Sequence, residues 1–116
     1  MRTFVILGSF TEQGLRKLQE TTERVRAFRR MAEEKGVTVR EILWTRGAYD
    51  VVALLEAHDE QDVTALALAV DARGNVRTQT LRAFPMELME EMLAKIAQAD
   101  ASLQAGQSAR GAPGPA

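Results

Sequence analysis

A chain of 116 residues with 46% hydrophobic and 27% charged residues has the length and composition of one globular domain. Its net charge of -1 provides no global field that would attract nucleic acid or an anionic membrane, and the absence of cysteine excludes disulfides and thiolate chemistry. The segment "MRTFVILGSF" lacks the pattern of a signal peptide, and no apolar run approaches the length of a membrane span. We therefore expect a cytoplasmic protein that binds neither nucleic acid nor membrane.

The first predicted strand, residues 3–10, is short, β-branched and aromatic. Val5 and Leu7 lie on one of its faces, and Phe4, Ile6 and Phe10 lie on the other. A strand that is apolar on both faces belongs in a sheet that is covered on both sides.

Residues 11–36 are predicted to be helical. Thr11 is expected to cap a short first piece, Thr21 or Thr22 to cap the main helix, and Gly36 to end it. The apolar positions with helical spacing are Leu15, Leu18, Val25, Phe28, Met31 and Ala32. The remaining faces carry a stripe of arginines mixed with glutamates, which is typical of a solvated helix face; an anion-binding role is the alternative.

The second half of the chain repeats the alternation of strands and helices. Residues 37–45 and 49–57 are predicted to form a hairpin, residues 58–74 a helix capped by Asp59, and residues 75–84 the fourth strand. A further helix is predicted to begin at Pro85. We expect residues 1–103 to form one domain, and the Gly-, Ala- and Pro-rich residues 104–116 to form a disordered tail.

This order of elements predicts a ferredoxin-like βαββαβ fold of the α+β class, with one antiparallel sheet and an added C-terminal helix. Two helices can cover one face of the sheet, whereas the first and third strands are apolar on both faces. The simplest cover for the second face is another copy of the same sheet, related by a two-fold axis. The C-terminal helix is the competing cover.

Four segments, "FTEQG", "ER" at the main helix, "GAYDVVALLEA" and "GNVRTQTLRAF", resemble the GYD domain family over about residues 2–84. In this sequence Ala48 stands between Gly47 and Tyr49, and Thr22 stands where the family often has a proline, which permits the two helical pieces to merge. The resemblance implies a dimeric α/β barrel and no defined biochemical activity. Related barrels include cofactor-free oxygenases, haem-handling enzymes and effector-sensing domains.

Three residues around the third strand are candidates for a ligand site. Tyr49 and Asp50 are expected on opposite faces at the hairpin mouth, where they could exchange protons with a ligand or simply pack and accept hydrogen bonds. Trp44 is either a packing residue or the aromatic wall of a cavity. The single His58 lacks the spacing of a metal site, so we predict no metal and no cofactor.

The fourth strand is polar on both faces, with Arg82 on the side of Thr78 and Thr80 and Arg77 on the side of Gln79. Buried polar groups need partners. Arg77 and Arg82 are therefore the best candidates for binding an acidic ligand, while pairing with Asp50 or Glu56 would explain them equally well.

The leading hypothesis is a small homo-oligomeric binding or scaffold domain, which either holds a small organic or acidic ligand between its two sheets or has a filled seam. The alternative is a cofactor-free oxygenase or isomerase acting on an aromatic or quinone-like substrate with Tyr49, Asp50 and Trp44 in its pocket. A catalytic residue, the ligand and the oligomer size beyond two are not defined by the sequence.

Overall fold

The computed structural model describes the backbone of residues 1–110 and the side chains of residues 1–106. Its strands are Arg2–Phe10 (β1), Thr38–Trp44 (β2), Val51–Ala57 (β3) and Val76–Ala83 (β4), and its helices are Glu12–Arg16 (α1), Thr21–Glu34 (α2), Glu60–Ala72 (α3) and Met86–Arg110 (α4). A single 3-10 turn, Leu18–Glu20, separates α1 from α2.

Local capping residues set several of these bounds as predicted. The Thr11 side chain accepts a hydrogen bond from the Gly14 N–H at 3.1 Å, and the Asp59 side chain accepts one from the Gln61 N–H at 2.9 Å. Gly36 and Gly74 follow α2 and α3 with φ of +73° and +81°, a conformation that glycine adopts without a Cβ penalty.

The helical region after β1 departs from the prediction in two respects. The two helical pieces stay separate, as their two predicted caps imply, but α2 begins at Thr21 without a side-chain cap. Leu15 and Leu18, which were assigned to the buried stripe of the helix, are 57% and 42% exposed. The 3-10 turn after Lys17 interrupts the 3.6-residue period, so these residues do not share the face of α2 that packs on the sheet.

The sheet is antiparallel throughout, with the strand order β2-β3-β1-β4. This mixed α+β architecture is consistent with a ferredoxin-like fold. The two central strands pair Phe4 with Leu55 and Ile6 with Ala53. All four side chains are buried on the same face of the sheet, against α2 and α3. The core consists of Phe4, Ile6, Ala32, Val37, Ile42, Ala53, Leu55, Ala57, Val63, Leu66 and Ala67.

The opposite face of the sheet, hereafter the open face, carries two cross-strand rows of apolar side chains. One row contains Leu54, Val5 and Leu81, and the other contains Leu43, Val52 and Leu7. Leu43, Leu54 and Leu81 remain 53%, 37% and 39% exposed. The solvated face of an antiparallel sheet is ordinarily polar, so these rows are an unpartnered surface of the unit formed by Met1–Ala83.

The chain from Phe84 onward forms a second unit. Its helix α4 carries exposed Met86, Met89, Leu93 and Ile96. The predicted tail began at residue 104, whereas α4 continues to Arg110; the alanines and glutamines in this stretch favour helix. Residues 111–116 of the predicted tail lie outside the described residues. Across the described chain, no helix combines the length and apolar composition of a membrane span.

Candidate functional site

Asp50 ties the start of β3 to β1 and to the residue that follows β2. β3 begins at Val51, so Asp50 lies just before the strand rather than within it. Its Oδ2 accepts from the Phe10 N–H at 2.8 Å, its N–H donates to the Gly8 carbonyl at 2.8 Å, and its carbonyl accepts from the Thr45 N–H at 2.8 Å. These bonds use the side chain and both backbone groups, so the structure supports the hydrogen-bonding alternative for this residue.

Tyr49 and Trp44 lie on opposite sides of the sheet. The Tyr49 hydroxyl donates to Gln79 Oε1 at 3.0 Å, which places the ring on the open face. The Trp44 indole N–H donates to Thr21 Oγ1 at 3.0 Å, on the side of α2. Within the single chain, Tyr49 and Trp44 therefore do not converge on one face of the sheet.

Arg77 and Arg82 are also separated by the pleat of β4. Arg77 pairs with Ser9 on the open face and is exposed. Arg82 pairs with Phe4 on the helix-covered face, where its guanidinium lies 5.3 Å from the Phe4 ring centroid. Arg82 Nη1 also donates to the carbonyls of Thr3 at 3.1 Å and Ala83 at 2.6 Å. Arg82 thus ties the end of β4 to β1.

These contacts predict outcomes of different size for two equivalent substitutions. Arg82→Met is expected to lower the free energy of unfolding by about 1–3 kcal/mol, because it removes charge-assisted hydrogen bonds to two carbonyls. Arg77→Met is expected to change it by less than about 0.5 kcal/mol, as for an ordinary surface site. Urea denaturation of both variants measures the difference. Equal stabilities would show that the Arg82 contacts contribute nothing to the fold.

A cavity of about 400 Å³ lies on the helix-covered face, between the sheet and helices α2 and α3. Its volume falls within the range of small-molecule sites, roughly 300–1,000 Å³. Its walls are mainly apolar and include Ile6, Val25, Phe28, Met31 and Val70. None of the five residues singled out from the sequence lines it.

The cavity exists because small residues meet over one end of the sheet. Gly8, Ala53 and Ala67 come from β1, β3 and α3 and all line it, whereas the other end is filled by Phe4, Leu55 and other large side chains. A Cβ on Gly8 would lie 2.8 Å from Val76 Cγ1, so the absence of a side chain there also permits β4 to pack closely. These small side chains do not fill the space between the sheet and the helices, and the helices cannot move closer to the sheet to close it.

The charged groups that line the cavity are mostly cationic. Arg24, Arg30 and Arg73 contribute guanidinium groups, and Glu34 contributes one carboxylate. Arg30, Glu34 and Arg73 are exposed and mark the solvent side, whereas Arg24 is half-buried. This set can bind an anion or orient a polar group, and it offers Glu34 alone as a proton acceptor.

Sequence reasoning treated the arginines of α2 as a solvated face, with anion binding as the alternative, and did not single out Arg24. One feature of the sequence indicated the cavity: Gly8, Ala53 and Ala67 are small residues at inward-facing positions. Within the described part of the chain, no three His, Cys, Asp or Glu side chains are grouped as for a metal ion, and His58 is exposed.

Comparisons with known proteins found a curated relative, a partly similar solved structure and a family model. A curated protein from Thermus thermophilus, named "Glutamine synthetase and cystathionine beta-lyase binding protein", is 34% identical over 87 residues, which cover 74% of this chain and 92% of that protein. Among solved structures, a homoserine dehydrogenase from Thiobacillus denitrificans matches 70% of this chain with a TM-score of 0.47 and 14% identity. This chain spans only 17% of that larger one. The sequence model of the GYD domain matches residues 4–93, and the chain therefore belongs to the GYD domain family.

Proposed function

We propose that this chain is a small homo-oligomeric binding domain, in which a second copy covers the open face and the assembly binds metabolic enzymes. The open face supports the proposal that a second copy of the chain packs against the sheet. Its six apolar side chains form two adjacent rows on the side of the sheet that α2 and α3 leave uncovered. Two such faces packed about a two-fold axis would form the dimeric α/β barrel that the family resemblance implies.

The energetics favour a dimer of moderate affinity. Full burial of an aliphatic side chain contributes about 1.5–3 kcal/mol, and the side chains of the open face are already partly covered. Completing their burial in two copies adds a favourable contribution from each of these side chains, and this is the driving force for association. We expect a dimer at micromolar concentrations of the chain.

The enzyme-binding part rests on the Thermus thermophilus relative. That protein is named for binding glutamine synthetase and cystathionine beta-lyase, and this chain matches 92% of its length. We propose that the present chain binds enzymes of the same kind. It would act as a binding or scaffold protein, in agreement with a site geometry in which Tyr49 and Trp44 do not converge within the single chain.

Sedimentation of purified components tests this proposal. The chain is mixed at micromolar concentration with glutamine synthetase, and separately with cystathionine beta-lyase, both taken from the organism that encodes it. We expect comigration with at least one of the two enzymes and none with an unrelated oligomeric enzyme of similar mass. Absence of comigration with both enzymes would contradict the proposal that this chain binds them. Equal comigration with the unrelated enzyme would contradict it as well.

A further inference from the structure

We propose that the cavity between the sheet and helices α2 and α3 binds a small organic carboxylate with an apolar body, and that Arg24 contacts its carboxylate group. This site is separate from the open face, which lies on the other side of the sheet. The inference does not depend on dimerisation or on an enzyme partner.

Arg24 supplies the first observation. Its Nη1 donates to the Lys17 carbonyl at 3.0 Å, which holds the side chain in place. Its Nη2 is buried and has no hydrogen-bond partner among the described residues. A buried N–H without an acceptor is unfavourable, and a charged one is more so, because it has lost water without gaining a replacement. Arg24 lines the cavity, and a ligand oxygen there would provide the missing acceptor once the guanidinium rotates to expose Nη2, which is closed to solvent in this structure.

The walls define the rest of the ligand. The cavity is also lined by Val25, Phe28, Met31 and Val70, which offer surface to an aliphatic or aromatic body and few hydrogen bonds to a polar one. An inorganic anion would satisfy the guanidinium and leave most of about 400 Å³ unfilled. The combination of an apolar chamber with the half-buried guanidinium of Arg24, and with Arg30 and Arg73 at the solvent side, therefore favours a monocarboxylate over a phosphate or a neutral hydrocarbon.

Three probes with the same chain length and different charge test the assignment: octanoate, octanamide and octylamine. Each is titrated into the isotopically labelled full chain, and binding is followed through backbone amide shifts. We expect octanoate to shift the amides of Gly8, Ala53 and Ala67, which line the cavity on three different elements. Octanamide should bind there more weakly and octylamine most weakly.

Two variants and one control separate this site from general hydrophobic binding. Arg24→Met is expected to weaken octanoate about tenfold or more while leaving octanamide nearly unchanged, because one charge-assisted hydrogen bond is lost. Arg29→Met, on the same helix but outside the cavity lining, should bind octanoate like the parent chain. Val70→Phe, which fills the chamber, should weaken all three probes.

The proposal is overturned if octanoate shifts other amides instead, or if Arg24→Met and Arg29→Met weaken octanoate equally. It is also overturned if the three probes bind with equal affinity. Should Arg24→Met fail to fold, Val70→Phe decides the matter: unchanged octanoate binding to that variant rules the cavity out.

Discussion

Leu54→Glu is expected to convert the protein from a dimer into a monomer at micromolar concentration. Leu54 lies in the open face, where β3 places it between Val5 of β1 and Glu41 of β2. In a two-fold assembly the substitution adds a carboxylate to the apolar seam in each copy, directly beside the carboxylate of Glu41. An unpaired buried charge costs several kcal/mol, which is enough to cancel an association of moderate affinity.

Analytical ultracentrifugation of the parent chain and the variant measures this outcome. Leu68→Glu is the matched control, because Leu68 is 61% exposed on α3 and lies outside the open face. This control should remain dimeric. Circular dichroism should show that Leu54→Glu retains its helices and strands, since the residue is already 37% exposed. A monomeric parent chain, or a dimeric Leu54→Glu, would contradict the proposed packing of sheet against sheet.

Gly14→Ala is expected to destabilise the fold by about 2 kcal/mol or more, although alanine favours helix over glycine by about 1 kcal/mol. Gly14 is buried in α1, and a Cβ built on it would overlap the Asn75 carbonyl oxygen. That carbonyl accepts from the Thr11 N–H at 3.0 Å, and Thr11 in turn caps α1. The helix cannot move away from Asn75 without breaking these bonds, so the steric cost exceeds the gain in helix propensity.

Gly106→Ala provides the opposite case. Gly106 lies in α4 and a Cβ there meets nothing within 4 Å, so only the propensity effect remains. This substitution should be neutral or stabilise α4 by up to about 1 kcal/mol. Thermal unfolding of both variants gives the comparison. A Gly14→Ala protein as stable as the parent chain would show that α1 is not packed against the turn before β4.

The prediction of strands and helices succeeded where the signal is local. The short β-branched and aromatic run of β1 and the capping residues Thr11 and Asp59 depend on neighbours only a few positions away. The apolar character of both faces of β1 and β3 likewise indicated a surface beyond the one that α2 and α3 cover. Leu15 and Leu18 were misassigned because a single 3-10 turn changes the helical phase and leaves little trace in the residue pattern.

The candidate site depended on contacts between distant parts of the chain. Asp50 bonds to a backbone N–H 40 residues away, a partner that exists only in the register that the sheet adopts. The same register sends Tyr49 and Trp44 to opposite faces. The sequence by itself determined the element order, the apolar faces of the central strands and the family. Only the tertiary structure decided where volume stays unfilled, because a cavity depends on small side chains from several elements meeting at one place.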